Sequence, residues 1–379
     1  MSLQTPNFFA SEQLLLLPVV VGFGVTLVFT WLLCKVSHIF PLGQDKPLGV
    51  QKFHVKPTSR LGGLAIASGF LFSGLSTYAL KQDVHVSEFQ HHTFWFFLSV
   101  LPVWMAGLTE DLTHRVGPTL RLVMATLSAS WLYSTLSVGV FRTDVLLIDW
   151  LFSIPGGPLC VTLLVVAGFT HSVNIVDGFH GLASGLMIIT LCALSFMSWA
   201  VGDGLMLQLC LTSVFVLLGF FVLNWPSGSI FLGDAGAYLI GFWVVELGLL
   251  IAMRNPNISP MAPVVAGLLP LIETLFSMYR RKFVRDHPVN HPDALHLHTL
   301  VYRRLLLSPG SAKSLEQKNN LNSTVAFYFW LPAALFSIAS CLFLQSTGTQ
   351  LILILTYLGG YVWLYKKLVQ FKAPKFMKF

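Results

Sequence analysis

The chain has 379 residues, of which 55% are hydrophobic and 10% charged, and it carries a formal net charge of +7. With a mean hydropathy of +0.72, this excludes a soluble protein of ordinary domains and points to an all-α, polytopic membrane protein. The basic balance does not argue for nucleic acid, because the cations follow the membrane topology set out below.

The first apolar run, about Leu14 to Cys34, has no basic leader and no small-residue cleavage site, which predicts a retained transmembrane helix. Apolar stretches of spanning length recur at 12–34, 61–80, 94–110, 119–138, 159–176, 180–200, 205–224, 236–252, 262–279, 323–345 and 350–368, eleven in all. Helices are expected because each must satisfy its own backbone hydrogen bonds in lipid. No repeat or soluble domain interrupts them, so residues 1–379 are expected to form one integral membrane domain. Five cysteines, in or beside apolar runs and without CxxC spacing, read as small hydrophobes.

Lysine and arginine fall on one side of this path. The loops after odd-numbered segments and the C-terminal tail hold five (35–60), two (115 and 121), eight (280–318) and five (366 onward), together 20 of the 23. The positive-inside rule then predicts a periplasmic N-terminus and a cytoplasmic C-terminus. Some of these cations can also hold lipid head groups or substrate phosphates.

Five polar islands lie on the predicted cytoplasmic face. The first combines Asp45-Lys46-Pro47, Lys52-Phe53-His54 and Arg60-Leu61-Gly62-Gly63, either a topological loop or a rim of phosphate donors. Glu110 and Asp111 end the third segment; adjacent helical residues point about 100° apart, so one can face a site while the other anchors a loop. Asn174 and Asp177, three apart, share a helical face, and His171 reads as an internally bonded side chain. Asn224-Trp225-Pro226 leads to Gly233-Asp234-Ala235-Gly236, whose glycines suit a tight turn holding a hard cation near phosphate. The fifth is His291-Pro292-Asp293-Ala294-Leu295-His296-Leu297-His298 with Arg303-Arg304. Without a cysteine or a third spaced ligand it suits hydrogen bonding to a phosphorylated or sugar substrate better than zinc. Glu246 and Glu273 lie within apolar segments and each requires a partner; for Glu273 a polar group near the cytoplasmic end is expected.

In order and sidedness these islands resemble the polyprenyl-phosphate N-acetylhexosamine-1-phosphate transferases, glycosyltransferase family 4. The resemblance runs from about Asp45 to Arg304 through D-x-P, K-x-H, P-x-x-R-L-G-G, G-x-x-E-D, N-x-x-D-G-x-x-G-L, F-x-G-D-x-G and D-x-x-H-x-H. The chain departs from the family at Glu110, where aspartate is usual, and at Thr299, where a further histidine is common. The second departure favours the branch that starts surface polysaccharides, such as O-antigen, over the phospho-MurNAc-pentapeptide transferases of peptidoglycan synthesis.

The resemblance implies that undecaprenyl phosphate attacks the β-phosphate of a UDP-N-acetylhexosamine, GlcNAc by default, and releases UMP. It implies Mg²⁺, with Mn²⁺ as a substitute, held by Asn174 and Asp234. Asp111 with Glu110 would orient or deprotonate the lipid phosphate, a mild demand because a phosphomonoester's second pKa is about 6. Asp177, Asn224, Lys52, His54, His296, His298 and Arg303 would hold the substrates. A bacterial inner membrane is expected, with a homodimer left open. A competing reading from another class is a secondary transporter, whose polar groups belong near the bilayer midplane. A structural scaffold explains neither the Asn174–Asp177 spacing nor the Gly233-Asp234 turn.

Overall fold

The computed structural model describes residues 14–37, 39, 43–47, 53, 54, 56–285, 295–307, 314–372 and 374. Lys52 and residues 291–294 of the His-rich island lie outside them. The described structure is helical apart from a two-stranded antiparallel pair, β1 (Gln44–Asp45) and β2 (Thr58–Ser59), with Gln44 opposite Ser59.

The helices are α1 (Leu16–Val36), α2 (Gly62–Ser76), α3 (Val84–Thr113), α4 (Pro118–Leu136), the short α5 (Leu146–Asp149), α6 (Gly157–Val176), α7 (Leu182–Val201), α8 (Gly204–Asn224), α9 (Gly233–Arg254), α10 (Met261–Ala266), α11 (Leu268–Tyr279), α12 (Leu297–Val301), α13 (Leu315–Leu342) and α14 (Thr347–Val369). Eight of them, α1, α3, α6, α7, α8, α9, α13 and α14, are long and apolar enough to cross a membrane. The other three expected segments are helical but differ from a simple span. Helix α2 has 15 residues, about 22 Å at 1.5 Å per residue, against a hydrocarbon core of about 30 Å. Helix α4 carries Arg121 in its first turn. The ninth segment breaks at Gly267 into α10 and α11, between Pro263 and Pro270, since proline cannot donate to the preceding turn.

Two helices begin earlier than hydropathy alone predicts, because local caps outweigh the fading apolar signal. Asp83 accepts the Val86 amide and starts α3 ten residues ahead of position 94. Ser314 and Gln317 form a reciprocal capping box that starts α13 eight residues ahead of position 323.

Helix α9 is the axis of the bundle. It packs against α2, α3, α6, α7 and α8, and 78% of its apolar stretch is buried, the largest share of the eight. Trp243 joins three neighbours to it: its ring stacks on Phe70 of α2 at 3.9 Å, meets Phe96 of α3 edge-on at 5.4 Å, and its indole N–H donates to Ser213 of α8 at 3.0 Å. At the other requirement read from sequence, Glu246 is fully buried and accepts from Ser99 at 2.9 Å.

Close approach at one end of α9 depends on two glycines. A Cβ on Gly63 would stand 2.4 Å from the Gly236 amide nitrogen, and one on Gly107 would stand 2.7 Å from that of Ala235. Lacking side chains there, α2 and α3 bring their backbones against the first turn of α9. Gly107→Ala is expected to destabilise the protein by about 1–3 kcal/mol through overpacking against backbone, read as a fall in Tm in detergent. Gly168→Ala, whose Cβ meets nothing within 4 Å, is the control and is expected to leave Tm unchanged or slightly raised.

Candidate active site

The C-terminal ends of α3 and α6 and the N-terminal ends of α2, α4 and α9 meet at one end of the bundle. Gly233 makes the turn into α9, with φ of +73°. Any Cβ there would lie 2.0 Å from the Arg60 carbonyl oxygen and 2.6 Å from the Asp111 carboxylate, so the chain needs glycine at this position. The Gly62 and Gly63 amides donate to the carbonyls of Phe231 and Leu232, each at 3.1 Å, and the Phe231 amide donates to Ser59 at 2.8 Å. The segment before α2 and the segment before α9 are thereby laced together.

Asp111 is fully buried. One of its oxygens accepts the Asp234 amide at 2.9 Å and the other the Ala235 amide at 2.8 Å. Arg60 Nε adds an ion pair at 3.2 Å. The carboxylate therefore caps the exposed donors at the start of α9. Where a role toward the lipid phosphate was expected, both Asp111 oxygens are bonded within the protein. Glu110, the other expected acid, accepts the Val116 amide at 2.7 Å, which ties it to the turn between α3 and α4. Both oxygens of Asp111 and one of Glu110 are thus used within the protein.

Asp234 is where the groups converge. Its Oδ1 accepts from Arg60 at 2.7 Å and from the Asn174 amide at 3.0 Å, and its Oδ2 accepts from Arg121. Asp177 follows the end of α6, and burial pushes its carboxyl up to about 7, with Arg60 and the Gly233 amide pulling it back. For Arg60 itself, burial works against the charge, but Asp111 and Asp234 outweigh it and hold the guanidinium above its ordinary range.

Among the described residues no cluster of three or more His, Cys, Asp or Glu forms a ready metal cage. The donors at the convergence are oxygens of Asp234, Asp177 and Asn174, whose amide nitrogen is spent on Asp234 and whose carbonyl oxygen is left for a ligand. That set suits a hard divalent cation that keeps waters and shares phosphate oxygens. Both Asp234 oxygens are bonded to arginine, so loading a cation requires a guanidinium to move off.

The remaining expected residues divide. His54 lies 3.7 Å from Asp45 and packs edge-on against Phe231. With His180, which packs on the same ring, it lines a cavity of about 780 Å³ whose wall includes Lys35, Lys56 and Ser229. Burial pushes the His180 imidazole down to about 4, so it is neutral. His298 is buried against Phe179 and stands beside Gly178, while Arg303 covers the Phe53 ring at 5.3 Å. His296 stacks parallel to His298 at 5.3 Å and bonds to Glu273 at 2.9 Å, giving Glu273 its polar partner. His171 bonds to the Ala167 carbonyl at 3.0 Å. Asn224 does not present a free amide: its oxygen accepts from Gly181 at 3.0 Å and Ser184 at 2.8 Å, and its nitrogen donates to Ile230 at 2.8 Å. It bolts α7 to the turn before α9.

Arg121 is the participant that sequence reasoning passed over, having counted it with the topological cations. A lone charge inside an apolar segment is itself a site signal, and the sequence carried it.

Residues 93–252 match the family described as Glycosyl transferase family 4, a stretch that contains Asp111, Arg121, Asn174, Asp177 and Asp234. Over this stretch the chain is similar to glycosyl transferase family 4. It is 28% identical over 289 residues to a probable undecaprenyl-phosphate N-acetylglucosaminyl 1-phosphate transferase of Bacillus subtilis, covering 74% of this chain and 76% of that protein. It is also 28% identical over 329 residues to a decaprenyl-phosphate N-acetylglucosaminephosphotransferase of Mycolicibacterium smegmatis, covering 79% and 76%. Similarity to a phospho-N-acetylmuramoyl-pentapeptide-transferase of Staphylococcus carnosus is 30% over 149 residues and covers 37% of this chain and 44% of that protein.

Asp111→Asn replaces one acceptor oxygen by a donor facing an amide N–H. It is expected to lower stability by roughly 1.5–3 kcal/mol, the worth of hydrogen bonds to a charged group, measured as a fall in Tm alongside lost activity. Glu110→Gln, which keeps an oxygen for Val116, is expected to lose far less of both.

Proposed function

We propose that this protein transfers an N-acetylhexosamine 1-phosphate, GlcNAc-1-phosphate by default, from a UDP-sugar to undecaprenyl phosphate at the cytoplasmic face of a bacterial inner membrane, and so starts a lipid-linked surface polysaccharide such as O-antigen. The observation that carries this reading is the Asp234 carboxylate, gripped by Arg60, Arg121 and Asn174 at the tip of α9. The relatives' own activities support it, as does the asymmetry of the basic loops. A transporter is less well supported, since the interacting charges gather at one end of the bundle.

An oxygen of the lipid phosphate attacks the donor's β-phosphorus. The bond from that phosphorus to the bridging oxygen breaks, and UMP leaves with the electron pair. The acceptor phosphate is largely dianionic near neutrality, so positioning and charge neutralisation dominate over proton abstraction. Arg60 and Arg121 neutralise Asp234 until substrates arrive, and then become free to donate to phosphate oxygens. Asp177 and the carbonyl of Asn174, with Asp234, would hold Mg²⁺, or Mn²⁺ in its place. When bound, such an ion neutralises charge on the diphosphate oxygens. Asp111 acts through position: it fixes the first turn of α9 and the guanidinium of Arg60. The cavity walled by His54, His180, Lys35 and Lys56 has the size and cationic lining that the nucleotide part of the donor requires.

Purified protein given undecaprenyl phosphate, UDP-GlcNAc and Mg²⁺ is expected to release UMP, and EDTA is expected to stop it until Mg²⁺ or Mn²⁺ is restored. Indifference to chelator contradicts the cation's role. A panel that includes UDP-MurNAc-pentapeptide separates the two branches of the family. Asp234→Asn is expected to lower turnover at least 100-fold, about 2.7 kcal/mol of transition-state stabilisation at 1.36 kcal/mol per decade, with Tm and membrane insertion retained; near-normal turnover rejects this account of Asp234.

A further inference from the structure

Three consecutive residues entering α12 are tied to α11 and to Arg280 just beyond its end. The Leu295 carbonyl accepts from Arg280 at 2.6 Å, the His296 ring nitrogen Nδ1 bonds to Glu273 at 2.9 Å, and the Leu297 amide donates to that same Glu273 oxygen at 2.9 Å. Glu273 and Arg280 lie seven residues apart, two turns along one helical face, so together they act as a two-point clamp. Arg280 is itself held by the Tyr365 hydroxyl of α14. The Glu273 side chain is almost wholly buried, with 2% exposure.

Capping Leu297 needs only one acceptor. A buried carboxylate that also takes an imidazole Nδ1 does more: it fixes the ring's orientation, keeps the proton on Nδ1 and favours the imidazolium. The ring so held stacks parallel to His298, which stands beside the turn at Gly178, next to Asp177. Burial pushes His298 down to about 4, with Glu273 pulling it back, so the pair comprises one neutral ring and one with a carboxylate at its back. The other groups facing the carboxylate are Tyr357 and Tyr361 of α14, and Arg280 and Tyr365 complete the surroundings.

We infer that Glu273 is a positioning residue, which with His296 forms a carboxylate–imidazole dyad that presents a protonated Nε2 edge to a phosphate or sugar oxygen of the substrates. The dyad rests on the transferase reading for its substrate, but its own chemistry is measurable without turnover. An opposite charge at this distance favours the charged form of an ionisable group. The imidazolium is the working form, so activity is lost as rising pH removes the ring's second proton. Removing the carboxylate's charge moves that loss to lower pH.

Two measurements test this on the full-length protein in nanodiscs. First, kcat/KM for UMP release is followed against pH for wild type, Glu273→Gln and Glu273→Asp. Glu273→Gln keeps an oxygen for Leu297 but cannot hold the imidazolium. Its alkaline limb is expected to move toward acid by about one pH unit or more, about a tenfold loss above the limb and little below it. Glu273→Asp is expected to shift the limb in the same direction by less, and it stands in if the glutamine variant fails to fold. A uniform loss at every pH with an unmoved limb reduces Glu273 to a structural cap and overturns the dyad. Second, protein labelled with ¹⁵N-histidine is titrated by solid-state NMR, with the His296 signals assigned by their loss in His296→Gln. The imidazolium is expected to persist to higher pH in wild type than in either Glu273 variant. An unchanged titration overturns the dyad even if turnover falls. If wild type releases no UMP from any donor, the transferase reading fails, and the NMR titration still decides the dyad.

Discussion

A buried carboxylate bonded to the second and third amides of a helix is the interaction on which this site's geometry depends. Asp111 reaches from the last turn of α3 to the Asp234 and Ala235 amides of α9, satisfying donors that a helix start otherwise leaves open. Burying that charge is costly without a partner, and Arg60 supplies one at 3.2 Å. The same guanidinium then bonds to the Asp234 side chain. Backbone position and side-chain direction of Asp234 are thus set by one small network, which the glycines at 63, 107 and 233 make sterically possible.

Charge explains why the network stays compact. Arg60 and Arg121 meet Asp111 and Asp234, while Asp177 stands close enough to feel all three of Arg60, Asp111 and Asp234. Like charges packed this closely need either guanidinium or a bound cation to persist. A second assembly, on α11 and α14, holds His296 and His298 through Glu273 and Arg280. The two meet near the Asp177–Gly178 turn, where His298 approaches the glycine. Helices that differ widely in sequence position thereby deliver a limited set of polar tips to one end of the bundle.

Much of this was legible in the chain. Apolar run lengths located the helices, and the order of short acidic motifs put Asp111, Asn174, Asp177 and Asp234 at one end. What hydropathy missed was local: the Asp83 and Ser314 caps extend α3 and α13, and Gly267 between two prolines divides the ninth segment. The 100° spacing of Glu110 and Asp111 required that they part company, but not that Asp111 would turn inward to cap a helix at Asp234, 123 residues away. The bonds of Asn224 to Gly181, Ser184 and Ile230 were hidden for a similar reason, since a side-chain amide's partners are tertiary. Arg121 was misread because the rule that assigns loop cations to topology is blind to an arginine inside a helix.

Photolabelling by 5-azido-UDP-N-acetylglucosamine, with peptides mapped by mass spectrometry, tests most directly whether this end of the bundle is where donor and acceptor meet. The account predicts label, competed by unmodified donor, on the segments around 53–63, 177–181 or 225–236. Label confined to the opposite end, in the connections at 139–156 or 255–260, would contradict it.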